Sequence, residues 1–181
     1  MFPFKGWLSR IGAEWVEATR FKLNGTEVTA TATQLNAATT GAKATQAGGA
    51  TKTLVAADAT KVTLLDTAAG TVVTLPAATG TGDVFEFVTS VIATSNSHIV
   101  KVANSTDVFT GALVVVDNSD GTATTFGTVA ASDTITLNRT TTGSVKIGER
   151  FFVKDVKAGY FSVWGVVVGT GSEATPFSAT V

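Results

Sequence analysis

From Thr53 onward the chain is a succession of short β-branched and aromatic runs, broken at nearly regular intervals by glycine, asparagine and aspartate. Thr, Val and the aromatics fit a pleated, half-buried surface, while Gly, Asn and Asp supply the reversals between strands. The pattern predicts nine strands: Lys61–Leu65, Val72–Leu75, Val84–Thr89, His98–Val102, Ala112–Val116, Thr134–Leu137, Ser144–Ile147, Phe151–Asp155 and Phe161–Val168. Strict alternation in Phe85-Glu86-Phe87 and in Thr134-Ile135-Thr136-Leu137 gives these strands one inward face. So many short strands over 53–181 predict an all-β fold, a β-sandwich or jelly-roll-like barrel.

Residues 1–52 read differently. Phe4, Trp7, Leu8, Ile11 and Trp15 fall at i, i+3, i+4, i+7 and i+11, one stripe of a helix over 4–18. Gly6 and Gly12 weaken that helix by roughly 1 kcal/mol each relative to alanine, so it needs a surface to pack on. The stripe reads either as a cover for its own domain or as an aromatic anchor on a partner. Next, Asn24-Gly25 between Phe21-Lys22-Leu23 and Glu27-Val28-Thr29 is a two-residue hairpin signal. Thr31 and Gln34 have the capping-box spacing for a short helix through Leu35 and Ala38. From Thr39 to Lys52 no large apolar residue occurs, which predicts an extended arm or linker. The expected division is thus 1–52, an N-terminal helix and arm, and 53–181, the β domain.

The inventory of side chains narrows function. With no cysteine, the chain has neither disulfides nor thiol chemistry. A serine or histidine mechanism would rest on His98, the single histidine, which enters a strand without a nearby carboxylate. Asp66, Asp83, Asp107, Asp117, Asp120 and Asp133 sit beside Gly, Asn or Thr, where they serve turns. Asp117-Asn118-Ser119-Asp120-Gly121 reads as a turn, since it lacks the bidentate glutamate of a calcium loop. No catalytic, cofactor or metal residue is expected. Lys and Arg are dispersed at a net charge of −1, and the densest group (Arg150, Lys154, Lys157) is interleaved with Glu149 and Asp155, which argues against nucleic acid. No apolar run approaches the ~20 residues that span a bilayer, and the opening residues lack an uninterrupted apolar export core. Only 15% of residues are charged, against ~25% in an ordinary domain, which suits a chain whose surface meets other chains.

Two stretches carry a resemblance. Leu23-Asn24-Gly25-Thr26-Glu27-Val28-Thr29-Ala30-Thr31-Ala32-Thr33-Gln34-Leu35-Asn36 resembles a segment recurring in virion proteins of tailed bacteriophages. The stretch from Val62-Thr63-Leu64-Leu65-Asp66 through Val73-Thr74-Leu75-Pro76-Ala77-Ala78-Thr79-Gly80 to Phe85 and Phe87 is similar to the β-domains of phage head decoration proteins and head fibres. The resemblance implies a non-enzymatic capsid-decorating or head-fibre subunit, commonly trimeric, on the capsid exterior and bound to the major capsid protein. In that setting Phe4, Trp7, Leu8, Ile11 and Trp15 are the expected partner-binding residues. A fibre-type receptor- or carbohydrate-binding module is the alternative. Tyr160, Ser162 and Trp164 share one strand face, so Tyr160 and Trp164 are the candidate glycan contacts. For Trp164 a place in the core is the favoured expectation.

Overall fold

The computed structural model describes residues 22–27, 29–32, 35 and 41–181. The chain divides into two compact units, Met1–Ala42 and Lys43–Val181. In the first, β1 (Lys22–Leu23) and β2 (Thr26–Glu27) form the expected hairpin. Asn24 and Gly25 both take positive φ (49° and 85°), the mirror-image turn that matches the twist of paired strands. Leu35 N–H donates to the Thr31 carbonyl, one helical turn where a short helix was expected. The expected helix over 4–18, with Phe4, Trp7, Leu8, Ile11 and Trp15, lies outside the described residues.

The second unit holds twelve strands. They are β3 (Ala44–Ala47), β4 (Thr51–Thr53), β5 (Lys61–Leu65), β6 (Val72–Thr74), β7 (Val84–Thr89), β8 (His98–Lys101), β9 (Val108–Asp117), β10 (Ala123–Gly127), β11 (Thr134–Leu137), β12 (Arg150–Lys157), β13 (Tyr160–Gly169) and β14 (Phe177–Ser178). Seven form one sheet in the order β10-β9-β13-β12-β7-β5-β3, and five form another in the order β14-β11-β8-β6-β4. Both sheets are mixed. From β3 to β8 the chain alternates between them, and β3-β5-β7 and β4-β6-β8 pair in parallel, so this half winds as three stacked coils. The remaining strands continue both sheets from the third coil, through antiparallel pairs of β12 with β7 and β11 with β8.

Three sequence expectations are corrected here. A jelly roll is built of antiparallel pairs, whereas β3-β5, β5-β7, β4-β6, β6-β8 and β9-β13 are parallel. The expected linker up to Lys52 supplies edge strands to both sheets, so the unit begins at Lys43. That expectation weighed apolar burial alone; β3 and β4 are held by ladder hydrogen bonds, by Gln46 on Thr63 Oγ1 (2.9 Å), and by Gly49 N–H on Asp66 Oδ1 (2.8 Å). Between them the chain crosses at Gly48, where a Cβ would lie 2.4 Å from the Leu64 carbonyl oxygen. Finally, Ser144–Ile147 is a bent loop rather than a strand, for a reason given below.

The core lies between the sheets. Phe85, Phe87, Phe109, Phe151 and Phe161 come from the seven-stranded sheet, and Val73, Val100, Ile135 and Leu137 from the five-stranded one. Phe87 and Phe151 stack at 5.0 Å across the β7–β12 pair. Each such ring contributes about 1.5–3 kcal/mol relative to an exposed position. Aspartates and asparagines tie the loops over this core, as their positions suggested: Asp107 accepts from Ala78 N–H (2.9 Å), and Asn104 Oδ1 from the N–H groups of Thr106 and Asp107. His98 is fully buried in β8. Its Nδ1 accepts from Thr71 N–H (3.0 Å) while its Nε2 faces the Val91 carbonyl (2.8 Å), so Nε2 carries the proton and the ring is neutral. Among the described residues no helix is long and apolar enough to cross a membrane.

Candidate functional site

The outer face of the seven-stranded sheet carries the exposed aromatics. Alternation along β13 turns Phe161 and Val163 inward and leaves Tyr160 and Trp164 outward, 41% and 42% exposed. Trp164 is therefore a surface residue, and its expected place in the core is corrected. The partition of β12 follows the same rule: Phe151 and Val153 enter the core, while Arg150, Phe152 and Lys154 face out. Phe152 and Trp164 stand directly opposite in register and stack at 5.3 Å, 14° from parallel. An aromatic pair of this kind contributes about 0.5–1.5 kcal/mol beyond the area it covers. Across the strands one outward row reads Ala112, Trp164, Phe152, Glu86, and the next reads Val114, Val166, Arg150, Val88.

Two glycines let these strands approach so closely. A Cβ on Gly165 would lie 2.4 Å from Phe151 Cα, and one on Gly111 would lie 2.2 Å from the Val163 carbonyl oxygen. At the start of β13 the β12–β13 register slips between Asp155 and Lys157. The slip places the Lys157 ammonium over the Tyr160 ring, 4.2 Å from its centroid, a cation–π contact.

The charges on β12 and just before it sort by burial. Arg150, Lys154 and Lys157 are exposed, whereas Glu149 and Asp155 are 5% and 3% exposed. Asp155 accepts from the N–H groups of Thr79 (3.0 Å), Gly80 (2.7 Å) and Thr81 (3.1 Å), fastening that loop to the slip in β12. Burial pushes its pKa up, but the backbone donors outweigh burial and hold the carboxyl below its ordinary value. Glu149 accepts from Ser144 N–H (2.6 Å), Val145 N–H (2.7 Å) and Lys146 N–H (2.7 Å). The loop thus wraps a carboxylate instead of extending, with Ser144 at φ 59°, which is why no strand forms there. Burial pushes the Glu149 pKa up, against those three donors. On the outer face Glu86 is shared between Arg150 (3.1 Å) and Lys43 (3.8 Å).

An open cleft of about 540 Å³ runs beside the stacked pair, lined by Lys146, Ile147, Arg150, Phe152, Trp164 and Val166 among others. The face offers apolar contact, one free aromatic surface and cationic donors. The carboxylates beside it are engaged by the backbone: Glu149, which also lines the cleft, accepts from three N–H groups, and Asp155 from those of Thr79, Gly80 and Thr81. His98 lies apart from it, with both ring nitrogens engaged. The Asp117–Gly121 segment is a turn stitched by its own side chains: Asp117 Oδ1 accepts from Ser119 N–H and Asp120 Oδ1 from Thr122 N–H. Among the described residues no group of three or more His, Asp or Glu side chains is placed to hold a metal ion.

Of the residues singled out from sequence, Tyr160 and Trp164 do share this face. Phe152 and Lys146, its other contributors, are corrections. From sequence Phe152 belongs with Phe151 in the core of a strand, whereas adjacent positions on β12 face opposite ways and Phe152 turns outward. Lys146 was expected on a strand where the chain is a loop. No family model, no curated protein and no solved structure matches this chain.

Proposed function

We propose that the chain is a non-enzymatic structural protein of a virion, a capsid-decorating or head-fibre subunit that binds the major capsid protein on the capsid exterior and stabilises the shell by bridging capsomers as a homotrimer. On this reading the two sheets and their shared core are a β-sandwich. The observation that carries it is the open end of the coiled half. The first coil, β3 and β4, is the edge of both sheets at once, and among the described residues neither strand has a second neighbour. Stacked coils need a cap, and an unpaired edge is a template for another chain. β3 and β4 are short and rich in Thr and Ala, with no large apolar side chain, as suits an edge that meets a regular partner. The resemblance of residues 23–36 and 62–87 to phage virion proteins and the low charge of the surface support the same reading.

Light scattering of the full chain is expected to give three times 18.5 kDa. A monomer at every concentration overturns the trimer. Deleting residues 1–20 is expected to abolish co-sedimentation with capsids while the β domain stays folded; retained co-sedimentation removes Phe4, Trp7, Leu8, Ile11 and Trp15 as the anchors. The exposure of Trp164 favours a second reading, a fibre-type carbohydrate- or receptor-binding module. Its mark is saccharide binding that Trp164→Ala abolishes with the fold intact.

A further inference from the structure

Four of the thirteen Lys and Arg residues fall between Lys146 and Lys157. In sequence that segment looks neutralised, because Glu149 and Asp155 are interleaved with the cations. The fold undoes the neutrality. Both acids are turned inward and spent on backbone N–H groups, while Lys146, Arg150, Lys154 and Lys157 are exposed. Glu86, the acid in the outward rows beside β12, is already shared between Arg150 and Lys43. Among the described residues Lys146 and Lys154 have no carboxylate within ion-pair distance. The cations flank the Phe152–Trp164 stack and Tyr160.

We propose that this face binds an acidic polysaccharide, a sugar ring lying on the free side of the Trp164 indole and its carboxylate or sulfate groups meeting Lys154, Lys157, Arg150 and Lys146. The apolar C–H face of a pyranose matches a flat, partly covered indole, and ammonium and guanidinium groups at the rim match sparse anionic substituents. A single-stranded nucleic acid fits less well. Its dense phosphate charge calls for a strongly basic groove, whereas the chain carries a net charge of −1. Successive bases also need successive free rings; Trp164 has one side on Phe152, and Lys157 covers Tyr160.

The inference extends the fibre-type reading of the aromatic face, and the test separates the two. The full chain is titrated by calorimetry with polygalacturonate, polysialic acid and chondroitin sulfate, with an uncharged cello-oligosaccharide and with oligo-dT. At least one acidic glycan is expected to bind, more weakly as salt is raised. Lys154→Glu with Lys157→Glu is expected to weaken that binding at least tenfold and Trp164→Ala to abolish it, with circular dichroism unchanged. Trp164→Phe retains partial binding, and Lys101→Glu, on the five-stranded sheet, leaves binding as it was. Failure of all three acidic glycans overturns the inference. Equal binding of the uncharged oligosaccharide overturns it too, while leaving the fibre-type reading in place. Tighter binding of oligo-dT, sensitive to the same substitutions, assigns the face to nucleic acid instead.

Discussion

The backbone N–H of Thr71 points at Nδ1 of His98 from 3.0 Å, and this one bond obliges a fully buried ring to stay neutral. Protonating Nδ1 would set two donors against each other. Burial, the larger cause, accordingly pushes the His98 pKa below its ordinary value, against the raising effect of the Val91 carbonyl and Asp66.

With the folded pKa depressed, the unfolded chain takes up the proton first. Stability from His98 is full above about pH 6.5 and falls as pH drops from there toward the folded value, by at most about 1.4 kcal/mol per pH unit. Urea midpoints measured at several pH values across that range should show the loss. His98→Asn, which keeps an acceptor for Thr71 N–H, should lower overall stability and remove the slope.

Glu149 acts with the opposite sign. Its folded pKa is raised, so its titration favours the fold below the ordinary carboxyl pKa, and that contribution is lost as pH rises through the folded value. Replacing Glu149 by Gln leaves at least one of the three N–H groups of Ser144, Val145 and Lys146 without an acceptor. A cost of about 1–3 kcal/mol is expected, with faster amide exchange at those three residues as the local readout.

Gly111 tests the close approach of β9 to β13. Its φ of 127° is unfavourable for any residue with a side chain, and a Cβ would overlap the Val163 carbonyl oxygen. Gly111→Ala should cost roughly 3 kcal/mol or more, lowering the melting temperature by about 6–12 °C for a chain of this size. An unchanged melting temperature would show that the pair can spread without penalty.

Truncation tests the boundary. A chain starting at Lys43 keeps β3 and β4 and should stay soluble and folded. One starting at Thr53 uncovers the edges of β5 and β6, together with the side of Leu65 and Val73 in the core. It should aggregate or lose cooperative melting in circular dichroism.

The strands with clean alternation were legible in the sequence: β5, β7 and β11 begin and end where the pattern places them, and Asn24-Gly25 marks its hairpin. β3, β4 and β10 were not, because Thr-, Ala- and Gly-rich edge strands carry no apolar period and are held through backbone pairing. The facing of Tyr160 and Trp164 followed from period two. The exposure of Trp164 did not, because alternation assigns a common face without saying whether that face is inner or outer. Least visible was the one-sided charge of β12, since interleaved signs cancel in a linear reading and separate only once the fold buries one sign and exposes the other.

The parallel pairing of β9 with β13 sets a schedule for synthesis. Val108 and Tyr160 are partners fifty-two positions apart in the chain. The apolar ribbon of β9 leaves the ribosome with only β10 beside it, and waits for most of the remaining chain before β13 arrives to separate it from β12 and β7. Such distant pairing is slow, and the waiting strand is open to wrong partners. Until β13 arrives, the counterparts of β9 on other copies of the chain compete for its open edge, so dilution and slower synthesis are expected to favour the native pairing.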